Sequence, residues 1–408
     1  MGYNMNINMI RILNVATLFV FSSLTASAIA VSPDSGDRLL SEDYSASDFP
    51  TQAAGKILKK TRVEGKYAIT NADEVYKVFY TATDGVNSKV RINSGIIFLP
   101  AGNPPKNGWP VVSWQHGTTG IADRCAPSWT GPDQPSKVVI SSWIAAGYAV
   151  VAADYQGLGM PGIHPYLEPK SLAYSVLDLL KASLAADLGL QNTIVLHGWS
   201  EGGAATIATA LYAQKYAPAL HITGASSSGA PYITPKTLRF LASDKTGSAE
   251  VVSYVTYLLN SASQLGADLP EDDVFSAKGK QFVRTYGNYC VDDLVREATI
   301  NKSELNEIVN RKAFGNQLLL EKIAYPPFKT EIPLFLSIGG SDTDVPTNMQ
   351  LALQQKMCAD GANLSYKVYS AADHTATLLA SVEDTIVFLS GTQEKNEDST
   401  FTALSCKN

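Results

Sequence analysis

The chain has 408 residues, 45% of them hydrophobic and 17% charged, with 30 Gly, 20 Pro and a net charge of −6. This is globular composition, which excludes disorder, collagen and coiled coil and supplies enough apolar material for a large core. An acidic chain without basic clusters is poorly suited to hold phosphate backbones, so nucleic acid is excluded as a partner.

The first thirty residues read as a separate object. Arg11 precedes an apolar run over residues 12–24, and small residues follow at Ala26, Ala28 and Ala30. A basic start, a short apolar core and an A-x-A end predict a cleaved export signal over 1–30, and the run is shorter than the ~20 residues a membrane span needs. No Cys lies near the cleavage site, which argues against a lipid anchor. The mature protein is expected to be soluble, in the periplasm or the medium. Its four cysteines, Cys125, Cys290, Cys358 and Cys406, suit two disulfides in an oxidising compartment, and their spacing leaves all three pairings open.

Residues 75–80 and 90–99 alternate apolar and polar around Asp84-Gly85 and predict an antiparallel hairpin. A strand–loop–helix rhythm follows. Strands are expected at 109–115, 148–155, 193–197, 221–225, 332–338 and 364–369. Helices are expected at 141–146, 171–187, 204–216 and 376–388. Short apolar runs alternating with helices predict an α/β fold with a mostly parallel sheet covered on both faces. Between about 231 and 331 the rhythm stops, and the pattern is helical with Gly/Asp-rich breaks. The expected organisation is a core first part over 31–231, a helical cap or lid insertion over 232–330, and a core second part over 331–408.

Gly198-Trp199-Ser200-Glu201-Gly202 matches G-x-S-x-G, which alone is weak, since chance supplies roughly one match in several chains of this size. The context is stronger: a strand leads in through Ile194-Val195-Leu196 and a helix leads out through Gly203-Ala204-Ala205, the setting of a nucleophile elbow in an α/β-hydrolase fold. Serine needs a base. In that fold the order is Ser, acid, His. Of five His, His116, His164 and His197 precede Ser200, and His221 opens the very next strand, so His374 remains. The acid is expected in Gly339-Gly340-Ser341-Asp342-Thr343-Asp344-Val345-Pro346. The hydrolase acid-loop pattern G-x-x-D-x-x-V-P selects Asp342 over Asp344, and Asp373, adjacent to His374, is a poorer orienter. For the oxyanion, one donor is expected from the backbone N–H of Glu201. The other should come from the loop His116-Gly117-Thr118, with Thr118 preferred and Gly117 the alternative.

Three stretches carry a resemblance. They are Cys125-Ala126-Pro127-Ser128; Asp154-Tyr155-Gln156-Gly157-Leu158-Gly159 with His164-Pro165-Tyr166-Leu167; and the elbow continued by Gly202-Gly203. From about Lys59 onward the chain resembles the secretory lipase family, a group of α/β-hydrolases. The resemblance implies a secreted carboxylic-ester hydrolase, often acting on triacylglycerols, with a helical cap over an acyl-binding tunnel. It carries Ser200, Asp342 and His374 as the triad, and it implies pairing Cys125 with Cys290 and Cys358 with Cys406, each worth roughly 3–5 kcal/mol by chain entropy. Two features depart from the family pattern. Glu201 is acidic and is expected to disfavour anionic ligands near the mouth, and the His116-Gly117-Thr118 loop is closer to a bacterial esterase style.

The substrate expected is a small-molecule or lipid ester, and the cap's apolar content permits transient contact with a lipid interface. No cofactor is expected: there is no metal cluster and no phosphate-cradling loop, and nothing calls for an obligate protein partner. His164-Pro165-Tyr166 reads as a loop packed beneath the cap. Two other functions share these features: a prolyl-type serine peptidase, which also uses G-x-S-x-G-G, and a non-catalytic binding protein on a hydrolase scaffold.

Overall fold

The computed structural model describes residues 40, 44, 53–238, 248–265, 269–394 and 403–406. The export segment expected at 1–30 lies outside them.

A ten-stranded sheet organises the fold. Its strands are β1 (Ile57–Arg62), β2 (Ala72–Thr83), β3 (Val90–Pro100), β4 (Trp109–Gln115), β5 (Ala149–Ala153), β6 (Leu190–Trp199), β7 (Ile222–Ser228), β8 (Leu334–Gly339), β9 (Leu364–Tyr369) and β10 (Leu404–Ser405). They lie in the order β1-β2-β3-β5-β4-β6-β7-β8-β9-β10. β5 to β9 run parallel, while β1, β2 and β3 at one edge and β10 at the other pair antiparallel. The expected hairpin is β2–β3, in one register from Glu74 opposite Leu99 to Thr83 opposite Val90.

Alternation along each strand sorts the core into two layers. Ile97, Leu99 and Val151 face the helices Pro169–Leu184 and Glu201–Tyr216, which contribute Leu172, Val176 and Ile207. Ile96, Phe98 and Val150 face the helices Gln134–Ala145 and Val382–Glu394, which contribute Val139, Trp143 and Leu389. The helix expected at 141–146 begins seven residues earlier, because the Asp133 carboxylate caps it by accepting from Ser136 N and Pro135 occupies its first turn. The last expected helix is two, His374–Ala380 and Val382–Glu394, joined at the buried Ser381.

Among the described residues, 232–330 holds helices and no strand of the sheet. These helices have their own apolar cluster, including Val252, Leu258, Phe275, Leu294 and Phe314, which meets the rest of the chain through Tyr166, Leu167, Ala204 and Met349. The helix Ala249–Gln264, capped by the Ser248 hydroxyl, is buried nearly all round. Two disulfides close the fold. Cys125–Cys290 ties the loop after β4 to the helix Val291–Ile300, and Cys358–Cys406 holds β10 near β9. No described helix is long and apolar enough to cross a membrane.

His197, on β6, is packed between layers and receives a hydrogen bond from Trp143 Nε1 at its Nδ1, 3.0 Å away. Burial lowers its pKa from 6.5 to about 3. The folded protein therefore refuses a proton that the unfolded chain takes up below about pH 6.5, at a stability loss of up to about 1.4 kcal/mol per pH unit. His197→Gln should be less stable than wild type at pH 7, with the gap in unfolding free energy closing as the pH falls to 5. Denaturant titrations showing a constant gap would place the acid sensitivity elsewhere.

Candidate active site

β6 ends at Trp199 and the helix Glu201–Tyr216 begins at Glu201, leaving Ser200 alone between them at φ 58° and ψ −122°. A residue with a Cβ pays roughly 1–3 kcal/mol for such a backbone, so the surroundings must enforce it. They do: a Cβ on Gly202 would lie 1.9 Å from Gln115 O, and one on Gly198 2.1 Å from Gly202 O. The strand and the helix thus meet at a separation only glycine permits. Ser200 N–H also donates to Ser228 O on β7 at 2.9 Å. The serine side chain is held at the carboxyl end of the sheet beside a helix N-terminus, where negative charge is favoured.

His374 opens the helix His374–Ala380. Its Nδ1–H donates to Asp342 Oδ2 at 2.7 Å, and its Nε2 is buried with no hydrogen-bond partner. Asp342 follows β8 and is completely buried at its side chain. Four donors hold its carboxylate: His374 Nδ1, Gln350 Nε2 at 2.8 Å, Asp344 N at 3.0 Å and Val345 N at 2.9 Å. Asp344 does not reach the imidazole as a hydrogen-bond partner. It lines the cavity at Ser200, where burial raises its carboxyl pKa against the opposing pull of His374. Asp373 is spent on the helix cap, accepting from Ala376 N at 2.8 Å. Trp199 Nε1 donates to His374 O at 3.2 Å, so the elbow and the histidine loop are tied directly.

Two contributors are invisible to motif reading. Gln350 braces Asp342 while also bonding Val345 O at 2.6 Å. Gly229, at φ 60°, lies where a Cβ would come within 2.9 Å of His374 Cε1, so its missing side chain makes room for the imidazole. A glycine one residue past a sheet strand was the available signal for the second; the first had none.

On the oxyanion side, Glu201 N is the first amide of its helix and has no acceptor inside it. The loop after β4 brings Gly117 against Trp199 and Ser200: a Cβ there would lie 2.9 Å from the Trp199 ring and 3.5 Å from Ser200 Cβ. Thr118 follows, its Oγ1 paired with Tyr166 Oη at 2.7 Å. Glu201 also borders the cavity at Ser200. Its carboxylate turns inward, fully buried, onto His164 Nε2 at 2.9 Å, because an imidazole 37 residues away in sequence waits there.

Ser200 lines a small, mainly apolar cavity of about 50 Å³ with Tyr166, Leu167, Leu238, Val251, Leu258 and Met349. A larger one of about 320 Å³ is lined by His116, Thr118, Asp154 and the Cys125–Cys290 bridge. Ser200 is not part of it.

The model of the family described as Secretory lipase matches residues 128–396, well over half of the chain. The chain belongs to the secretory lipase family. That membership makes it a carboxylic-ester hydrolase of α/β-hydrolase fold. Lipase A of Moesziomyces aphidis is 26% identical over 80% of this chain and 74% of that protein. A secreted triacylglycerol lipase of Malassezia globosa is 23% identical, covering 85% of this chain and 80% of its own. Among solved structures, Candida antarctica lipase A in its closed state superimposes with a TM-score of 0.72 at 21% identity, over 91% of this chain and 89% of that one. That likeness speaks for the fold.

The two carboxylates beside His374 make separable predictions. Asp342→Asn should cost about 10⁴ in kcat on a soluble ester, while Asp344→Asn should cost less than about tenfold. The reverse order would move the orienting role to Asp344.

Proposed function

We propose that this protein is an exported serine hydrolase that cleaves carboxylic esters, with fatty-acyl esters such as triacylglycerols as its substrate class, through an acyl-enzyme on Ser200. The observation that supports it best is the buried imidazole of His374, held at Nδ1 by Asp342 and open at Nε2, tied through Trp199 to the strained turn that carries Ser200.

The chemistry follows from that arrangement. With Nδ1 committed as donor to Asp342, Nε2 presents a lone pair and accepts the Ser200 proton as Oγ attacks the ester carbonyl carbon. Asp342 stabilises the imidazolium that results. The carbonyl oxygen becomes an oxyanion within reach of the Glu201 N–H and of the loop carrying Thr118 or Gly117, each such donor being worth about 10²–10³ in rate. His374 then returns the proton to the leaving alcohol. Water repeats the sequence on the acyl-enzyme and releases the acid.

The cavity at Ser200 is small, about 50 Å³, mainly apolar and bordered by the helix Ala249–Gln264 through Val251, Val255 and Leu258, so an acyl chain would enter against that helix. The segment 232–330 acts as the lid, and the apolar residues it uncovers favour a lipid surface. The expected N-terminal signal over 1–30 and the two disulfides suit export, to the periplasm or the medium.

Initial rates on p-nitrophenyl esters from C2 to C16, below and above their solubility limits, test this reading, with Ser200→Ala alongside. The expected result is serine-dependent hydrolysis that extends to long chains and rises when an interface forms. Activity confined to short chains would keep the mechanism and remove the lipid substrate. Undiminished turnover by Ser200→Ala would overturn the mechanism itself.

A further inference from the structure

The buried His164–Tyr166 segment stands apart from the triad yet touches both sides of the oxyanion site. His164 Nδ1 faces Gln156 O at 2.8 Å, and since a carbonyl only accepts, Nδ1 carries the hydrogen there. Its Nε2 meets Glu201 Oε1 at 2.9 Å, with both side chains fully buried. Glu201 is the residue whose backbone N–H stands next to Ser200, so its side-chain anchor fixes that peptide's orientation. Two residues later, Tyr166 Oη pairs with Thr118 Oγ1 at 2.7 Å, on the loop that supplies the other donor.

Between these two contacts the segment is gripped by one side chain of the helix Ala249–Gln264. Ser261 Oγ donates to His164 O at 2.6 Å and accepts from Tyr166 N at 3.1 Å. The same helix lines the Ser200 cavity through Val251 and Leu258. On the far side of the loop, Val291 N donates to Thr119 O at 2.9 Å, next to the Cys125–Cys290 bridge.

We propose that His164–Pro165–Tyr166 is a positioning brace that couples the helix over the active site to both arms of the oxyanion hole, through Glu201 on one side and Thr118 on the other. The inference rests on the reading of the site given above. Its consequence is that the position of the helix Ala249–Gln264 governs how well the oxyanion donors are aligned, and not only whether substrate can enter.

The test uses the full chain and a soluble short-chain p-nitrophenyl ester, measuring kcat, KM and Tm for Tyr166→Phe, Thr118→Val, the double variant and Ser261→Ala. Tyr166→Phe keeps the ring that lines the cavity and removes only the hydroxyl. Each single variant should lower kcat about tenfold with KM within about twofold, since the contact acts on transition-state alignment rather than on ground-state binding. The double variant should be no slower than the worse single, because both remove one shared interaction. Ser261→Ala should lower kcat although it touches neither oxyanion loop. On the other arm, Glu201→Ala should lose kcat, while Glu201→Gln, whose amide can donate to His164 Nε2, should keep most of it. Additive losses in the double variant, losses in KM alone, or unchanged kcat in Tyr166→Phe and Ser261→Ala would overturn the brace while leaving the triad intact. A wild-type chain without Ser200-dependent ester hydrolysis would overturn the reading of the site and the brace together.

Discussion

The conformation of Ser200 is the constraint on which the rest of this structure depends. A left-handed φ at a residue with a side chain is unfavourable, and here it persists because β6 and the following helix are locked on every side. β4 and β7 flank β6 in parallel, with Gln115 opposite Gly198 and Ser228 opposite Trp199. Gly202 packs directly on Gln115 backbone, and Thr206 Oγ1 donates to Gln115 Oε1 at 2.7 Å. Relaxing the turn would require parting strands buried on both faces. The core layers therefore hold the elbow in place, and the elbow spends part of their stability on presenting one hydroxyl.

The charged groups near the elbow obey a second constraint, that a buried charge must be paired or heavily hydrogen-bonded. Asp342 meets it with four donors, while Glu201 reaches His164 through Oε1 alone and leaves Oε2 buried without a hydrogen-bond partner. Each pairing also does geometric service, because a carboxylate held that way cannot rotate without losing its partners. This is why the proposed site extends to Gln350 and His164, while Gly229 makes room for the His374 imidazole by lacking a side chain.

What the sequence made legible has local causes. The elbow is a contiguous motif between a strand and a helix, the parallel strands are apolar runs, and the chain order singles out His374 and the loop of Asp342. What was illegible depends on contacts far apart in the chain. β1 has two apolar residues followed by four polar ones, all half-exposed or exposed, and β10 is two residues long, so neither carries an apolar run to find. The early start of the helix Gln134–Ala145 was readable from Asp133 and Pro135, and periodicity alone passed over it. The inward turn of Glu201 was not readable, since nothing adjacent to G-x-S-x-G announces an imidazole 37 residues upstream.

The histidines show how narrow the chemical distinction is. His116 and His197, like His374, are buried with Nε2 lacking a hydrogen-bond partner. An open nitrogen is therefore not enough to make a base. His116 has a carbonyl at Nδ1, Gly117 O at 2.7 Å, and His197 has an indole N–H pointing at its Nδ1. A carbonyl fixes a tautomer but itself brings no charge to stabilise an imidazolium, and burial keeps His197 neutral by lowering its pKa to about 3. His164 has its Nε2 already occupied by Glu201. Among the described residues, only His374 joins a carboxylate at Nδ1 to a vacant Nε2, so that taking a proton at one nitrogen is compensated at the other. The proposed roles of packing, brace and base thus follow from what both nitrogens of each imidazole touch, and the sheet decides that by where each loop leaves it.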